Sequence, residues 1–341
     1  MEVLLISVTL KDIARKTGFS TATISLVLNS KPASIPETTR KKILDTANEL
    51  GYIPKKKSPN IALLVPNLRN PFFSELAGEI LSNTKKHQFN LIISDSNADT
   101  ENDIQDLLSF LNAGVSGIIA FFSTGRGQDA RLRQIIRQIT EVHHIPLILM
   151  DRNKPEYNCD AVCVNQFSSG YLATAHLLQM GHTRIGCIAG PDYSEAGQQR
   201  LEGYRSALEE SGVPYDPELV FYSNFSFEAG YRNLEPLLEK QVSAIFTQSD
   251  FIALGVYRRA QELHVSIPQD LSIVGLDNVL YTTLVIPPLT SVAQDIPLTA
   301  RLAVETLVAR IQGTANPNRN IQILQPQLVQ RESVCRYRPK H

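Results

Sequence analysis

The sequence is poor in cysteine. Its four cysteines, at positions 159, 163, 187 and 335 of 341, form no Cys-x-x-Cys pair. So few cysteines in a chain of this length do not indicate a disulfide-stapled protein and favour reduced thiols in a cytoplasm. Cys159 and Cys163 are four residues apart with no further Cys or His close by, so we interpret them as buried structural thiols rather than metal ligands. We expect no metal site and no cofactor.

Long hydrophobic runs are also absent. No stretch approaches the roughly 20 apolar residues of a membrane span. The first ten residues, MEVLLISVTL, are apolar, but they have neither a basic start nor a small-residue cleavage pattern. We therefore expect no secretory signal peptide, no membrane partner and a cytoplasmic protein. Residues 1–7 are expected to be a disordered extension.

The signatures of common enzyme classes are missing too. Gly125-Arg126-Gly127 lacks the third glycine of a dinucleotide-binding loop. Neither a Walker A lysine motif nor a Gly-x-Ser-x-Gly elbow occurs. These absences disfavour an enzyme.

Charge is distributed unevenly along the chain. Residues 1–57 hold ten basic and five acidic side chains, a balance of +5, whereas the remainder holds 23 basic and 29 acidic ones, a balance of −6. A basic first segment on an acidic body is typical of a DNA reader attached to a second module. The length of 341 residues predicts two or three domains.

The basic segment has the pattern of three short helices. The first is predicted to begin after Thr9 as its N-cap and to break at Gly18-Phe19-Ser20, and the second to span Thr21–Leu28 with Ser20 as its cap. The third is predicted over Pro36–Leu50. This arrangement predicts a helix-turn-helix, with an ordinary three-helix bundle as the alternative.

A helix-turn-helix places the start of its second helix in the DNA major groove. Thr21, Ala22 and Leu26 would face base edges there. Leu26 can touch a thymine methyl but cannot donate a hydrogen bond, which predicts weaker base readout or an unusual operator. Short polar side chains nearby suit phosphates. These phosphate contacts are predicted for Ser20, Thr23, Ser25 and Asn29.

From Asn60 onward, short apolar runs alternate with amphipathic helices. The runs predicted as buried strands are 61–65, 91–94, 117–122, 146–150, 184–190, 244–248 and 271–276. The helices predicted between them include Asp103–Leu111, Ser169–Gln179, Leu201–Glu210 and Ala300–Ile311. This alternation predicts an α/β body of parallel sheets flanked by helices, in two lobes with a cleft between them.

Ligands in such sheets bind beyond the carboxyl ends of the strands. Asp151-Arg152 and Asp277 end predicted strands, Arg200 opens a helix, and Gln294 lies on a predicted crossover. Each can form charge-assisted or bidentate hydrogen bonds to vicinal hydroxyls. The first strand is followed by Asn70, Phe72 and Phe73, which add an amide and two flat apolar rings. Together these residues predict a pocket for a small sugar-like molecule.

Each of these residues also has a structural interpretation. Phe72 and Phe73 can pack in the core, Asp277 can cap a strand end, and Arg200 can form a surface salt bridge. Their joint placement at strand ends favours the pocket. His182 is interpreted as a structural residue, and the His143-His144 pair as a surface turn before a strand.

Several motifs resemble the lactose-repressor (LacI) family. They include Val8-Thr9-Leu10-Lys11-Asp12-Ile13-Ala14, Gly18-Phe19-Ser20, Leu50-Gly51-Tyr52-Ile53-Pro54, Asn70-Pro71-Phe72-Phe73, Gly181-His182-Thr183-Arg184-Ile185 and Leu328-Val329-Gln330-Arg331-Glu332-Ser333. The resemblance implies a homodimer on a palindromic DNA operator, a sugar-like effector, and a body like the periplasmic binding proteins with three crossovers. It adds Thr39 and Tyr52 to the DNA-binding residues, and Phe225 and Ser249 to the effector-binding residues. Ser249 stands where relatives often carry Asn, and Leu276 where pentose binders often carry an aromatic residue.

The resemblance also implies the domain boundaries. The helix-turn-helix domain covers residues 1–57. The first lobe covers 60–163 and 293–323, and the second covers 164–292 and 324–334. Relatives usually carry a hinge helix between the headpiece and the body, but residues 55–60 are too short for one and are interrupted by Pro59.

Together these observations predict a DNA-binding transcription regulator, a repressor, whose operator affinity changes with a small sugar-like effector. Two alternatives remain open. One is a regulator that responds to a protein partner, and the other is a sugar-binding transport protein of the same fold.

Overall fold

The computed structural model describes residues 9–28, 35–50, 52, 59–123 and 129–338. The chain divides into two compact units, Met1–Ser58 and Pro59–His341. We call the first unit the headpiece and the second the body. The predicted extension at 1–7, Asn29, and residues 55–58 of the predicted linker lie outside the described residues.

The headpiece contains α1 (Leu10–Thr17), α2 (Thr21–Leu28) and α3 (Glu37–Glu49). The predicted caps are present: Thr9 N donates to Asp12 Oδ2 at 2.9 Å, and Thr23 N donates to Ser20 Oγ at 3.1 Å. Pro36 and Leu50, predicted to lie inside the third helix, are instead its flanking cap residues. The three helices share one small apolar core, formed by Ile13, Ile24, Val27, Ile43 and Ala47.

The body alternates strands and helices. Its strands are β1 (Asn60–Val65), β2 (Asn90–Asp95), β3 (Gly117–Ala120), β4 (Leu147–Met150), β5 (Asp160–Val164), β6 (Ile185–Ala189), β7 (Val220–Tyr222), β8 (Ala244–Thr247), β9 (Ser272–Asp277), β10 (Thr290–Ala293), β11 (Ile321–Leu324) and β12 (Gln327–Val329). Its helices are α4 (Pro71–Lys86), α5 (Thr100–Asn112), α6 (Asp129–Arg137), α7 (Gln166–Gln179), α8 (Glu195–Glu210), α9 (Phe227–Glu239), α10 (Asp250–Glu262) and α11 (Ile296–Ile311).

The strands form two sheets, each at the centre of a lobe. The sheet of lobe 1 has the order β2-β1-β3-β4-β5-β11 and is parallel throughout. The sheet of lobe 2 has the order β7-β6-β8-β9-β10-β12 and is parallel except for β12, which runs antiparallel to β10. The prediction of an α/β body built on parallel sheets is thus confirmed.

Both faces of each sheet are covered by helices. In β1, Ile61 and Leu63 share a core with α4 and α11, while Ala62 and Leu64 share a second core with α5 and α6. Lobe 2 likewise packs α7 and α8 on one face and α9 and α10 on the other. Burial of both faces explains why these strands are apolar runs without polar alternation.

Three sequence predictions of strands need correction. The run 117–122 ends as a strand at Ala120, and the two phenylalanines that follow line a cavity. The run 91–94 lies in an edge strand and is only partly buried, with Ile93 exposed. The prediction also missed β5, β7, β10, β11 and β12. Each of these is five residues or shorter, and β10 is rich in Ser and Thr although it is largely buried.

The chain passes between the lobes at three places in the described residues. These are the links from β5 to α7, from β10 to α11, and from β11 to β12. Neither lobe is therefore a continuous segment of the chain. Among the helices of the described part of the chain, none is both long and apolar enough to cross a membrane.

Two glycines allow α7 and α8 to approach each other unusually closely. A Cβ atom at Gly170 would lie 1.8 Å from the carbonyl oxygen of Arg200, and one at Gly203 would lie 2.0 Å from that of Phe167. Real side chains cannot occupy those positions, so glycine is required at both. The close contact brings Gln166 at the start of α7 within hydrogen-bonding distance of Arg200 on α8.

Candidate ligand site and nucleic-acid interface

A cavity of about 270 Å³ lies between the lobes, at the carboxyl ends of their strands. The structure brings to it all ten residues for which effector contacts were predicted. These are Asn70, Phe72, Phe73, Asp151, Arg152, Arg200, Phe225, Ser249, Asp277 and Gln294. The topology explains the convergence, because the ends of parallel strands from both sheets open onto the same cleft.

The polar wall of the cavity is centred on Arg200. Its side chain is buried, so it is not the surface ion-pair partner of the alternative interpretation, and it lies in the second turn of α8 rather than at the start of a helix. Arg200 Nε donates to Gln166 Oε1 at 2.8 Å, and Nη1 donates to the carbonyl oxygen of Gln248 at 2.7 Å. The guanidinium also lies over the ring of Phe225, 5.5 Å from its centroid. These contacts fix the orientation of the guanidinium group in the cavity wall.

Two carboxylates stand near this guanidinium, the buried Asp277 and the partly buried Asp151. Asp277 Oδ1 accepts a hydrogen bond from Gln294 Nε2 at 2.5 Å, and Asp151 Oδ2 accepts one from Gln166 Nε2 at 3.1 Å. Burial raises the pKa of Asp277 to about 7, although the charge of Arg200 works against this shift. Burial also raises the pKa of Asp151. Both groups are therefore costly to ionise without further hydrogen-bond donors.

Asp277 has an unusual backbone conformation, with φ at +119°. The carboxylate of Asp250 supports this turn, since it accepts from Val279 N at 3.1 Å and from Ser291 Oγ at 2.7 Å. Burial, followed by the nearby charge of Asp277, raises the pKa of Asp250. Non-glycine residues at positive φ are uncommon and gather at functional sites, which is consistent with a binding role for this turn.

The other side of the cavity is aromatic. Phe72, Phe73 and Phe121 pack edge to face, with ring centroids 5.2 to 6.1 Å apart. Phe72 is buried and Phe73 partly buried in the core of lobe 1, so both interpretations hold: the rings belong to the core and also line the cavity. Arg152 packs over the ring of Phe122 on the same lobe.

Two predicted site residues also cap helices. Asn70 Oδ1 accepts from Phe72 N at 3.1 Å at the start of α4, and Ser249 Oγ accepts from Ile252 N at 3.2 Å at the start of α10. The amide nitrogen of Asn70 is thus the atom suited to a ligand. Leu276, the position at which pentose binders often carry an aromatic residue, is packed in the core of lobe 2. It is not among the described residues that line the cavity.

Sequence reasoning missed several polar and aromatic residues of the site. Gln166 follows β5, which was not recognised as a strand; had it been, the rule of strand ends would have pointed to this residue. Phe121 and Phe122 were assigned to a strand. Besides Phe121 and Phe122, the lining residues that were missed are Pro66, Asn67, Ala98, Ser123, Met150, Pro191, Tyr193, Ser194, Glu195, Ala196, Asn224 and Ser226.

The residues predicted to contact DNA differ in exposure. Ser20, Thr21 and Ala22 are exposed at its start, and Leu26 is partly exposed and lies outside the headpiece core. The other predicted residues of the described headpiece are partly buried. They are Thr23, Ser25, Thr39 and Tyr52.

His182 and the cysteines have structural surroundings. His182 Nδ1 lies 2.9 Å from Ser243 Oγ and Nε2 lies 3.0 Å from the carbonyl oxygen of Cys335, which matches its structural interpretation. Cys159 and Cys163 are free and buried. His143 and His144 are exposed between α6 and β4. The described residues contain no group of three or more His, Cys, Asp or Glu that could hold a metal ion.

The chain is similar to known proteins over nearly its whole length. Residues 9–55 match the family model of bacterial regulatory proteins of the lacI family, and residues 174–334 match that of the periplasmic binding protein-like domain. The ribose operon repressor of Haemophilus influenzae is 35% identical over 338 residues, which cover 96% of this chain and 98% of that protein.

Two solved structures extend this similarity. A LacI family transcriptional regulator from Enterococcus faecium with bound ribose is 31% identical, with a TM-score of 0.73, covering 82% of this chain and 100% of that one. The lac repressor dimer bound to operator and the anti-inducer ONPF is 26% identical, with a TM-score of 0.80, covering 96% of this chain and 99% of that one.

The raised pKa of Asp277 predicts how the stability of the ligand-free protein depends on pH. The unfolded chain ionises this carboxyl near 3.8 and the folded chain near 7. The stability that Asp277 contributes is therefore fully present at low pH and is lost as the pH rises through 7. Between pH 5 and pH 8 the wild type should lose roughly 2–3 kcal/mol relative to Asp277→Asn. Calorimetric unfolding of both proteins across this range measures the difference between their free energies of unfolding. A difference that is the same at pH 5 and at pH 8 would contradict the raised pKa of Asp277.

Proposed function

Because the chain belongs to the LacI family of bacterial regulatory proteins, we propose that it is a transcription repressor whose affinity for a DNA operator changes when a small sugar binds in the cavity between its lobes. We also propose a cytoplasmic location, because a regulator of this kind acts on the bacterial chromosome. The relatives described above are regulators, and we propose the same for this chain rather than an enzymatic activity.

One observation carries the proposal of a sugar. Arg200, Asp151, Asp277 and Gln294 present charged and amide groups to one cavity, although all but the partly buried Asp151 are nearly inaccessible. Burying such groups is tolerable when a ligand supplies their remaining hydrogen bonds. A ligand with several neighbouring hydroxyls does this, because each hydroxyl donates to a carboxylate and accepts from a guanidinium.

The size and the aromatic lining of the cavity restrict the class of ligand further. Its volume of about 270 Å³ lies near the lower end of the range for small-molecule sites, which favours a monosaccharide. The rings of Phe72 and Phe73 on lobe 1 offer a flat apolar surface to the C–H face of a sugar ring. The ribose in the Enterococcus faecium relative supports a pentose. We propose ribose or a pentose of similar size.

We expect titration calorimetry with D-ribose, D-xylose, L-arabinose and D-glucose to detect binding of at least one pentose. Asp277→Ala should weaken that binding by roughly 2–4 kcal/mol, because it removes the proposed acceptor of the sugar hydroxyls and a negative charge near the buried Arg200. Asp106→Ala, which removes a carboxylate from α5 away from the cavity, is the control and should bind like the wild type. Unchanged affinity in Asp277→Ala would show that the sugar binds elsewhere.

We propose that α2 reads the operator. Thr21 and Ala22 are exposed at its start, and Leu26 lies one turn further on outside the apolar core. Thr and Ala methyl groups and a leucine side chain suit contact with thymine methyl groups in the major groove. Lysines of the headpiece add phosphate contacts that depend on salt rather than on sequence.

To test this reading, operator sequences are first selected from random duplex DNA with the wild-type protein. The double variant Thr21→Ala, Leu26→Ala should then lose at least about tenfold of its preference for selected over scrambled DNA, while weak, salt-sensitive binding remains. Asn48→Ala, an exposed substitution near the end of α3, should retain the preference in fluorescence anisotropy. If the double variant still discriminates as the wild type does, another element reads the bases.

We further propose that the body forms a homodimer, because two headpieces need a fixed spacing on a palindromic operator. An apolar surface supports this. The short 3₁₀ segment Leu280–Thr283 and the loop after it expose Leu280, Leu284 and Ile286, the last with 91% of its surface accessible. Large exposed aliphatic side chains close together in sequence are typical of protein interfaces.

Sedimentation velocity at micromolar concentration should show a dimer for the wild type. The double substitution Leu284→Glu, Ile286→Glu should shift it to a monomer, because two carboxylates would be buried without partners. Val142→Glu changes an exposed apolar residue of lobe 1, whereas Leu284 and Ile286 belong to lobe 2, and it should leave the dimer intact. A dimer that survives the double substitution would place the interface on another surface.

A further inference from the structure

Gln166 occupies the first of the three links between the lobes. It is the first residue of α7, two residues after β5 ends at Val164. Its side chain is buried, with only 3% of its surface accessible, yet it is not among the described residues that line the cavity. A buried amide needs partners for all of its polar atoms, and the partners of Gln166 are the groups proposed to bind the ligand.

The amide of Gln166 joins three parts of the site. Its Oε1 accepts from Arg200 Nε at 2.8 Å. Its Nε2 donates to Asp151 Oδ2 at 3.1 Å and to Gln294 Oε1 at 3.1 Å. Gln294 in turn donates to Asp277. One side chain therefore connects a carboxylate at the end of β4 in lobe 1, the guanidinium on α8 in lobe 2, and the residue at the second link between the lobes.

These bonds have a direct consequence for Arg200. Because Gln166 takes the Nε–H and the carbonyl of Gln248 takes one hydrogen of Nη1, the Nη2 group and the second hydrogen of Nη1 are the donors left to face a ligand. Asp151 is held in the same way, since Val164 N donates to its Oδ1 at 2.9 Å and Gln166 to its Oδ2. The orientation of both charged groups is thus fixed by hydrogen bonds to residues that do not line the cavity.

We propose that Gln166 is a positioning residue that aligns Arg200 and Asp151 for the ligand and ties these groups of opposite lobes to each other at the first crossover. The inference rests on the proposed sugar site but concerns a residue that does not touch the sugar. A rotation of one lobe against the other must stretch or exchange the bonds of Gln166, because its partners lie on both sides of the link. Gln166 therefore contributes to the response of the lobes as well as to affinity.

The direction of the hydrogen bonds makes the proposal testable. Gln166→Glu keeps the size and the acceptor for Arg200 but turns the donor toward Asp151 into a second acceptor. Asp151→Asn restores a donor on the other side of that contact. In titration calorimetry with the pentose that binds best, Gln166→Glu should lower affinity at least about tenfold in the wild-type background and less than about threefold in the Asp151→Asn background. If Gln166→Glu lowers affinity by the same factor in both backgrounds, the proposal that Gln166 positions Asp151 is overturned.

A second measurement needs no ligand. In protein labelled with ¹⁵N-arginine, the Nε–H signal of Arg200, identified by its absence in Arg200→Lys, should be protected from exchange with solvent. Gln166→Leu should shift this signal and remove its protection. Gln322→Leu, the same chemical change at a glutamine that donates to Thr306 on α11, should leave it unchanged. A signal that is the same in Gln166→Leu and in the wild type would overturn the positioning of Arg200.

The two measurements separate the proposals. If the wild type binds none of the sugars, the proposed ligand class is wrong, and the arginine spectrum still decides whether Gln166 positions Arg200. If a pentose binds, the response of operator affinity to saturating sugar should also be smaller in Gln166→Glu than in the wild type. A full response in that variant would overturn the role of Gln166 in coupling the lobes.

Discussion

A guanidinium that is removed from water has to be matched by acceptors and negative charge, because an unpaired buried charge costs several kcal/mol. Arg200 imposes this requirement on the centre of the body. Burial lowers its pKa, and the charges of Asp277 and then Asp151 oppose that effect. Its hydrogen bonds to Gln166 and to the Gln248 carbonyl supply the acceptors that the buried guanidinium needs. The ends of β4, β8 and β9 and the start of α7 are therefore held to one arrangement around a single cation.

The backbone makes this arrangement possible. Gly170 and Gly203 let α7 and α8 approach until Gln166 reaches Arg200, and any larger residue at either position would collide with a carbonyl oxygen. On the same polar wall, Asp250 holds the turn that carries Asp277 at positive φ. The charged groups of the cavity are thus placed by helix packing and turn geometry, while the aromatic residues of lobe 1 are placed by the core of that lobe.

The sequence predicted the charged residues of the site better than the amides behind them. Asp151 and Asp277 directly follow apolar runs, so the rule of parallel strand ends identifies them without a structure. Gln166 follows a strand whose five residues include Asp160, which pairs with Arg310 and hides the strand pattern. Tyr193 and Asn224 come from the loops between β6 and α8 and between β7 and α9. Short strands and loop paths are decided by tertiary contacts, which no local pattern encodes.

The same limit applies to helix boundaries. The predicted helices of the headpiece agree with the structure within one residue, because Thr9 and Ser20 are strong caps and the apolar spacing is regular. In the body, α8 begins at Glu195, six residues before the start predicted from its apolar stripe. Its first turn is polar and is fixed by Ser194, whose side chain accepts from Gly197 N. This polar turn carries the residues that border the mouth of the cavity.

The three links between the lobes also affect how the protein is made. Strands β1 to β5 leave the ribosome first, but α11, which covers one face of their sheet, and β11, which completes its edge, are encoded after residue 295. Until then Ile61, Leu63 and Val65 lack one of the two helices that bury them, whereas lobe 2 already has about nine-tenths of its sequence. Lobe 1 begins to form first, yet its sheet is completed only near the end of the chain, at β11. During synthesis one apolar face of the lobe 1 sheet therefore stays incompletely covered until α11 has been made. A nascent chain truncated before α11 exposes an apolar surface of the kind that chaperones bind.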